Sequence, residues 1–296
     1  MESSMKKIKK RFIILPFLLL ILVGIFQIYR SYNCLTVQEY RYQTDKISSQ
    51  IKMIVLSDLH NHEFGEDNLT LISKVRKQEP DAIFLVGDFL NASSRDSSVV
   101  ISLVEKLTEI APVYFSLGNH EVEFTGEEPD ALMEEIRNAG ASVMELSYID
   151  AEIRGESIRI GGMYDYAFAL DGNNTTEKDH MDPKVYSYLT DFQDTDGLKI
   201  MMAHRPDSFI FGEASKTWDV DLILSGHDHG GQIVLPFAGG LWAPDQGWFP
   251  EYVHGLYQKD KIEILITSGL GSQSETLPRF NNPPEIAVLV IEPGQS

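Results

Sequence analysis

The longest apolar run in the chain spans residues 12–29, broken only by Pro16, Gly24 and Gln27. Its 18 residues reach the length at which an apolar helix crosses a bilayer, which a run of about 10–14 does not. Five basic residues precede it (Lys6, Lys7, Lys9, Lys10 and Arg11), and only Arg30, Arg41 and Lys46 follow closely. That asymmetry predicts a cytoplasmic N-terminus, with the remainder of the chain on the far side of the membrane. A cleaved signal peptide is the competing reading, but the run ends in Gln27-Ile28-Tyr29-Arg30, a poor cleavage site. Ser31-Tyr32-Asn33 before Cys34 lacks the small, apolar pattern that lipid attachment needs. The expected organisation is a basic cytoplasmic tail over 1–11, a transmembrane anchor over 12–29, a polar linker over 30–50 and one large domain over 51–296.

From residue 51 the pattern changes to short apolar runs of strand length alternating with helical spacings. Residues 51–57 (IKMIVLS) and 82–86 (AIFLV) read as strands, as do 113–117, and 68–79 reads as a helix with apolar residues at 69, 71, 72 and 75. Helices are further predicted over 99–107 and over 130–139, the latter closed by Gly140. This βαβαβα order argues for parallel strands covered by helices. The second half offers strand candidates at 143–146, 158–161, 199–203, 221–224, 262–267 and 286–290, which suggests a second sheet packed on the first. Two stretches read as irregular: 164–197, with its turn Asp171-Gly172-Asn173-Asn174, and 235–257, rich in Gly, Pro and aromatics including Trp242, Trp248, Phe249 and Tyr252. Long loops of this kind carry function or pack locally.

Charge and cysteine content narrow the classes. The net charge is −19, and beyond residue 30 the chain holds 19 basic and 43 acidic residues, a net of −24. Such a body repels polyanions and shows no basic stripe, so nucleic-acid binding is not expected. Its acidity otherwise reads as a solvated surface. A single cysteine, Cys34, excludes an intrachain disulfide.

Of eight histidines, five stand where a strand-like run meets a turn, the place where α/β sheets build their sites. The segments are Ser57-Asp58-Leu59-His60, Gly87-Asp88-Phe89, Gly118-Asn119-His120-Glu121, Ala203-His204-Arg205-Pro206 and Gly226-His227-Asp228-His229-Gly230-Gly231. In an extended chain alternate side chains share a side. Asp58 and His60 can then converge on one cation, and His227 and His229 again share one side while Asp228 faces away, toward solvent or as a support. No segment is specific alone. Together they supply nitrogen and oxygen donors suited to Mn, Fe or Zn, without sulfur, and too many for a single ion. Two ions about 3.5–4 Å apart suit in-line displacement at phosphorus.

The five segments in this order resemble the calcineurin-like metallophosphoesterase superfamily. The GHDHGG form, HRPD, and Leu277-Pro278-Arg279-Phe280 with Pro283-Pro284-Glu285-Ile286 resemble its bacterial membrane-associated subgroup of YkuE- and YaeI-like phosphodiesterases. The resemblance runs from about residue 51 to 296. It implies an α/β (α+β) fold: a four-layer αββα sandwich of two mixed sheets flanked by helices. It also implies one metal held by Asp58, His60, Asp88 and His229, and a second held by Asp88, Asn119, His204 and His227, with Asp88 bridging. His120 would bind no metal and would stabilise charge or protonate the leaving oxygen, while a metal-bridging hydroxide attacks.

The chain departs from relatives at Asp228, where a small or hydroxyl residue is common. Arg205 and Arg279 are candidates to hold a phosphate oxygen, or else structural ion pairs. His62 and Glu63 could hydrogen-bond a metal ligand, and Asp207 could orient a ligand histidine or cap the following helix. The expected activity is hydrolysis of a phosphodiester or phosphomonoester, lipid- or envelope-linked if the anchor holds the domain at the bilayer. A catalytically silent metal-binding domain is the alternative, and a nuclease is disfavoured by the acidity.

Overall fold

The computed structural model describes residues 2–94, 96–124, 129–163, 168, 175–272 and 277–294, with side chains from residue 16 onward and without that of residue 129. The turn expected over 171–174 lies outside the described residues.

A long helix, α1 (Glu2–Asn33), leads into two six-stranded sheets. The first holds β1 (Thr36–Thr44), β2 (Ile51–Leu56), β3 (Ala82–Val86), β4 (Val113–Ser116), β5 (Ser142–Met144) and β12 (Glu285–Pro293), in the order β1-β12-β2-β3-β4-β5. The second holds β6 (Ser147–Ile153), β7 (Glu156–Gly162), β8 (Leu198–Met202), β9 (Leu222–Ser225), β10 (Gly255–Lys259) and β11 (Ile262–Ile266), in the order β10-β11-β9-β8-β7-β6. The strands β2 to β5 pair in parallel, as do β7, β8, β9 and β11, while β12 runs antiparallel to β2. Both sheets are therefore mixed.

Side-chain alternation sorts the core into layers. Met53, Val55 and Phe84 of the first sheet meet Ile160, Ile200, Met202 and Leu224 of the second. Their neighbours Ile54, Leu56, Ile83 and Leu85 face the other way, onto Leu71 and Val75 of α2 (Leu69–Arg76), Leu103 and Val104 of α3 (Ser98–Thr108), and Ile136 of α5 (Pro129–Asn138). The outer face of the second sheet, with Met201, Ile223 and Ile264, is covered by α6 (Pro183–Phe192). The result is four layers: helices, sheet, sheet, helices.

Three expectations change. Part of the supposed linker is β1, paired in parallel with β12 from Thr36 opposite Glu285 to Thr44 opposite Pro293. Its polar composition hides a period of two, in which Tyr40 and Tyr42 pack against the inter-sheet core. The expected strands at 143–146 and 286–290 exist as β5 and β12 but belong to the first sheet. The stretch 164–197 contains α6, whose signals are Asp182 accepting the Lys184 N–H (2.7 Å), Pro183 at the first turn, and buried Val185, Tyr188, Leu189 and Phe192 at helical spacing.

Within α1, residues 16–33 are long and apolar enough to cross a membrane, and this span is almost wholly unburied. Its last turn is docked: the Asn282 N–H donates to Ser31 Oγ (3.1 Å) and the Arg279 N–H to Tyr32 Oη (2.9 Å).

Candidate metal centre

Every segment singled out in the sequence follows a strand of one of the two sheets, and all end in one place. Asp58 and His60 follow β2, Asp88 follows β3, Asn119 and His120 open α4 (Asn119–Phe124) after β4, His204 follows β8, and His227 and His229 follow β9. Their convergence does not come from extended chain. Asp58, His60, Asp88, His227 and His229 all have positive φ, between 47° and 69°. Left-handed backbone is sparsely populated by residues other than glycine, and it clusters where structure over-determines it. Here the determining contacts are backbone bonds between loops: Asp58 N–H to Gly87 O, His60 N–H to Asp88 O and Asn61 N–H to Phe89 O. Glycine permits the close approach. A Cβ on Gly118 would overlap the Asp88 carboxylate, and one on Gly226 the Asp58 carboxylate.

The side chains form adjoining clusters of candidate ligands. Asp58, His60 and His229 bring ligand atoms within 4.8 Å of one another, as do Asp88, His204 and His227. His60, Asp88 and His120 link the two groups. Asp58, His60, Asp88, His204, His227 and His229 are all buried. Among the described residues, His60 Nδ1 and Nε2, His229 Nδ1 and Asn119 Oδ1 are buried without a hydrogen-bond partner. Orphaned donors and acceptors are costly in a core, and orphans converging from several loops fit a site made for cations.

Partners behind the cluster set which atoms face inward. His204 Nδ1 donates to the Val86 carbonyl (2.8 Å), which leaves Nε2 3.0 Å from Asp88 Oδ2. His227 Nε2 donates to Asp245 Oδ2 (2.8 Å), leaving Nδ1 for the interior. His120 Nδ1 accepts the Ala92 N–H (2.9 Å), so a neutral ring carries its proton on Nε2, 3.9 Å from Asp88 Oδ2. His120 is half-buried and meets His60 edge-on, with ring centroids 4.7 Å apart.

The electrostatics follow from burying many titratable groups together. Burial pushes Asp58 up to about 6 and His60 down to about 4, and it lowers His227 and His229. Burial would lower His204 as well, but the Asp88 and Asp58 carboxylates raise it to about 10. Burial would raise Asp88, yet the surrounding imidazoles of His204, His60 and His120 hold it far below the ordinary carboxylate range. Asp88 is thus an anion at the centre, paired with cationic His204. A divalent cation would take the place of the His204 Nε2 proton.

Carboxylates that the motifs did not single out brace this arrangement. Glu121, fully buried, accepts the N–H groups of Asp88, Gly118, Phe89 and Leu90. Asp245, in the aromatic-rich stretch, joins His227 to the Arg205 guanidinium, whose Nε lies 2.7 Å away. Glu121 stood inside a quoted motif. Asp245 had no local signal beyond its place in a long loop.

Several expectations are corrected. Arg279 is fully buried, and its guanidinium donates to the carbonyls of Asn282, Gly271, Ser268 and Gly269, so it braces loops instead of presenting itself to a phosphate. Arg205 makes the ion pair with Asp245. Asp228 is buried, not solvent-facing, and Gln246 Nε2 donates to its Oδ2 (3.1 Å). Burial and the carboxylates of Asp207, Asp245 and Asp58 raise it well above its ordinary value. His62 packs edge-on against Phe64, and Glu63 accepts the Asp67 N–H, so neither supports a metal-ligand histidine. Asp207 is buried, and among the described residues its carboxylate oxygens have no partner and make neither the cap nor the histidine contact.

Comparison with known proteins agrees with this chemistry. The family model described as calcineurin-like phosphoesterase matches residues 51–231. An uncharacterized metallophosphoesterase of Campylobacter jejuni is 30% identical over 92% of this chain and 68% of its own. The uncharacterized metallophosphoesterase YkuE of Bacillus subtilis is 31% identical over 81% of this chain and 79% of its own. Phosphodiesterase YaeI of Escherichia coli is 29% identical over 82% and 83%.

Proposed function

This chain belongs to the calcineurin-like phosphoesterase family and is a hydrolase of phosphate esters, and on that premise we propose that it cleaves a phosphodiester, or a phosphomonoester, at a two-metal centre. The observation that carries the reading is the pair of clusters, Asp58/His60/His229 and Asp88/His204/His227, joined through His60 and Asp88. In this reading one ion is held by Asp58, His60, Asp88 and His229, and the other by Asp88, Asn119, His204 and His227. Two divalent ions (Mn, Fe or Zn) held there would supply the Lewis acidity that activates water and offsets charge developing on the phosphate.

The chain's own residues do the rest. Asp88 would be the carboxylate that both ions share. The Val86 carbonyl and the Asp245 carboxylate hold the protons of His204 Nδ1 and His227 Nε2, so that the opposite nitrogens stay available as ligands. His120 keeps its proton on Nε2, directed at the centre, where it stabilises the departing oxygen or protonates it. We further infer that α1 anchors the chain in the cell membrane with its N-terminus in the cytoplasm. That orientation sets the domain at the outer face, near lipid- or envelope-linked phosphates.

The test is hydrolysis of bis-p-nitrophenyl phosphate and p-nitrophenyl phosphate by the detergent-solubilised chain, with added Mn and with chelator. Turnover should require metal. It should fall about 10²–10⁴-fold in His120→Ala and vanish in Asp88→Asn. Full activity in Asp88→Asn, or in excess chelator, would refute the two-metal reading, and the ratio of the two substrates separates diesterase from monoesterase.

A further inference from the structure

The exposed apolar surface of the domain is concentrated. Outside α1, six large apolar side chains are exposed among the described residues: Val37, Leu69, Phe211, Phe237, Trp248 and Phe249. Three of them fall within the stretch 237–249, which is built of two small hairpins, Val234–Leu235 with Gly239–Gly240 and Trp242–Ala243 with Gly247–Trp248. Phe237 occupies the tip of the first with its side chain wholly in solvent. Trp248 closes the second, and Phe249 follows it, its N–H donating to the Leu241 carbonyl (2.9 Å).

These hairpins grow from the strip of chain that holds the end of α1. The Val234 N–H donates to Phe280 O (3.0 Å), the Phe280 N–H to Gln232 O (3.1 Å), and Asn281 Nδ2 to Val234 O (3.0 Å). The neighbours Arg279 and Asn282 donate their N–H groups to Tyr32 and Ser31 of α1. Residues 279–282 are thus clamped between the last turn of the apolar helix and the base of the first hairpin. Three residues of chain span at most about 10 Å, so the Phe237 backbone lies within that distance of Val234. The base of the first hairpin therefore stands beside the residues that hold the end of α1, and the second hairpin is tied to that base by the Leu241 N–H donating to Ile233 O (2.9 Å).

We propose that Phe237, Trp248 and Phe249 form a second contact with the lipid surface that α1 enters, lying at headgroup depth. The proposal rests on the reading of α1 as a membrane anchor. Trp248 suits the membrane–water interface, with an apolar ring and an N–H that stays wet, and Phe237 and Phe249 add exposed apolar surface for lipid to cover. The acidic body, net −24 beyond residue 30, offers no attraction to anionic lipid. Attachment by a few rings suffices because α1 already confines the domain to the surface, raising the effective concentration of the loop there. The same stretch carries Asp245 and Gln246, which touch His227 and Asp228, so the contact would hold against lipid the loop that braces the candidate centre.

The test uses the full chain in a Cys34→Ser background, with Phe237→Cys, Phe249→Cys or, as an exposed control, Lys184→Cys. Each variant is labelled with an environment-sensitive fluorophore and reconstituted in phosphatidylcholine vesicles. Flotation reports whether the chain inserts, and headgroup-region spin-labelled lipid reports the depth of the probe. Positions 237 and 249 should be quenched about two-fold or more beyond position 184, as expected for interfacial residues. Chain that floats with vesicles but is quenched no more at 237 and 249 than at 184 would overturn the proposal and leave the anchor intact. Quenching at 237 and 249 in native membranes but not in pure lipid would overturn it in favour of a membrane-protein partner. Chain that fails to float would refute the anchor, and the proposal with it.

Discussion

The carboxylate of Glu121 lies 2.7 Å from the Asp88 backbone N–H and accepts its hydrogen bond in a fully buried setting. The same carboxylate takes the N–H groups of Gly118 (2.7 Å), Phe89 (2.7 Å) and Leu90 (3.1 Å). One side chain thereby ties the loop after β3 to the loop after β4, and it adds to the backbone bonds that hold Asp88 in left-handed conformation.

Glu121→Gln replaces an acceptor oxygen with an amide NH₂ that confronts those donors. A stability loss of about 2 kcal/mol is expected, which at this size lowers Tm by about 4–8 °C. Turnover should fall further than stability as Asp88 shifts. Differential scanning fluorimetry beside the nitrophenyl assay checks both, and an unchanged Tm would show that the four bonds are dispensable.

Asp245 predicts a defect in metal affinity, not in folding. Asp245→Ala removes the acceptor that holds His227 Nε2–H, and Mn affinity measured by calorimetry should fall about 10–100-fold. Asp245→Asn keeps an acceptor and should lie between. Equal affinities in all three proteins would mean that His227 is oriented by other contacts.

Arg279 separates a structural from a substrate-binding cation. Arg279→Met leaves the carbonyls of Asn282, Gly271, Ser268 and Gly269 without their donor. The expected loss is about 2–4 kcal/mol, with KM unchanged in the molecules that remain folded. A raised KM at an unchanged Tm would return Arg279 to the phosphate.

A pH dependence arises away from the metal centre. His254 Nε2 lies 3.0 Å from the buried carboxylate of Glu285, which also accepts from Tyr40. Burial lowers the His254 pKa, but Glu285 outweighs it and the net shift is upward. A histidine with a raised folded-state pKa contributes stability that is complete below its unfolded value, about 6.5, and is lost as pH climbs through the folded value. The Tm penalty of His254→Gln should therefore be larger at pH 6 than at pH 9. A penalty that grows toward alkaline pH would reverse the assignment.

The candidate ligands were legible as a group because each stands at the end of an apolar run. A run of β-branched and aliphatic residues stopping at Gly or Ser before Asp or His marks both the strand and the site, as in AIFLV-Gly87-Asp88. What the runs did not show is how the ligands converge. Strand alternation put Asp58 with His60 and His227 with His229 on one side; the structure keeps Asp58 with His60 but sends His229 to join them and His227 to Asp88 and His204, through left-handed turns stitched loop to loop. Arg279 was misread because its motif names a cation and not its burial. Asp245 was invisible because it lies 18 residues from His227 in a stretch without periodicity. The helix α6 was readable from Asp182-Pro183 and its apolar spacing, but the polar residues around it obscured it.

The placement of β12 between β1 and β2 also governs when the domain can close during synthesis. Roughly 240 residues separate the end of β1 from the start of β12. At about 5–20 residues per second, β1 and one edge of β2 wait about 10–50 s for their partner. Throughout that interval two strand edges stand open, the condition in which nascent chains pair wrongly. A chain ending before residue 285 would hold every metal-ligand candidate and still lack the strand that joins its first sheet.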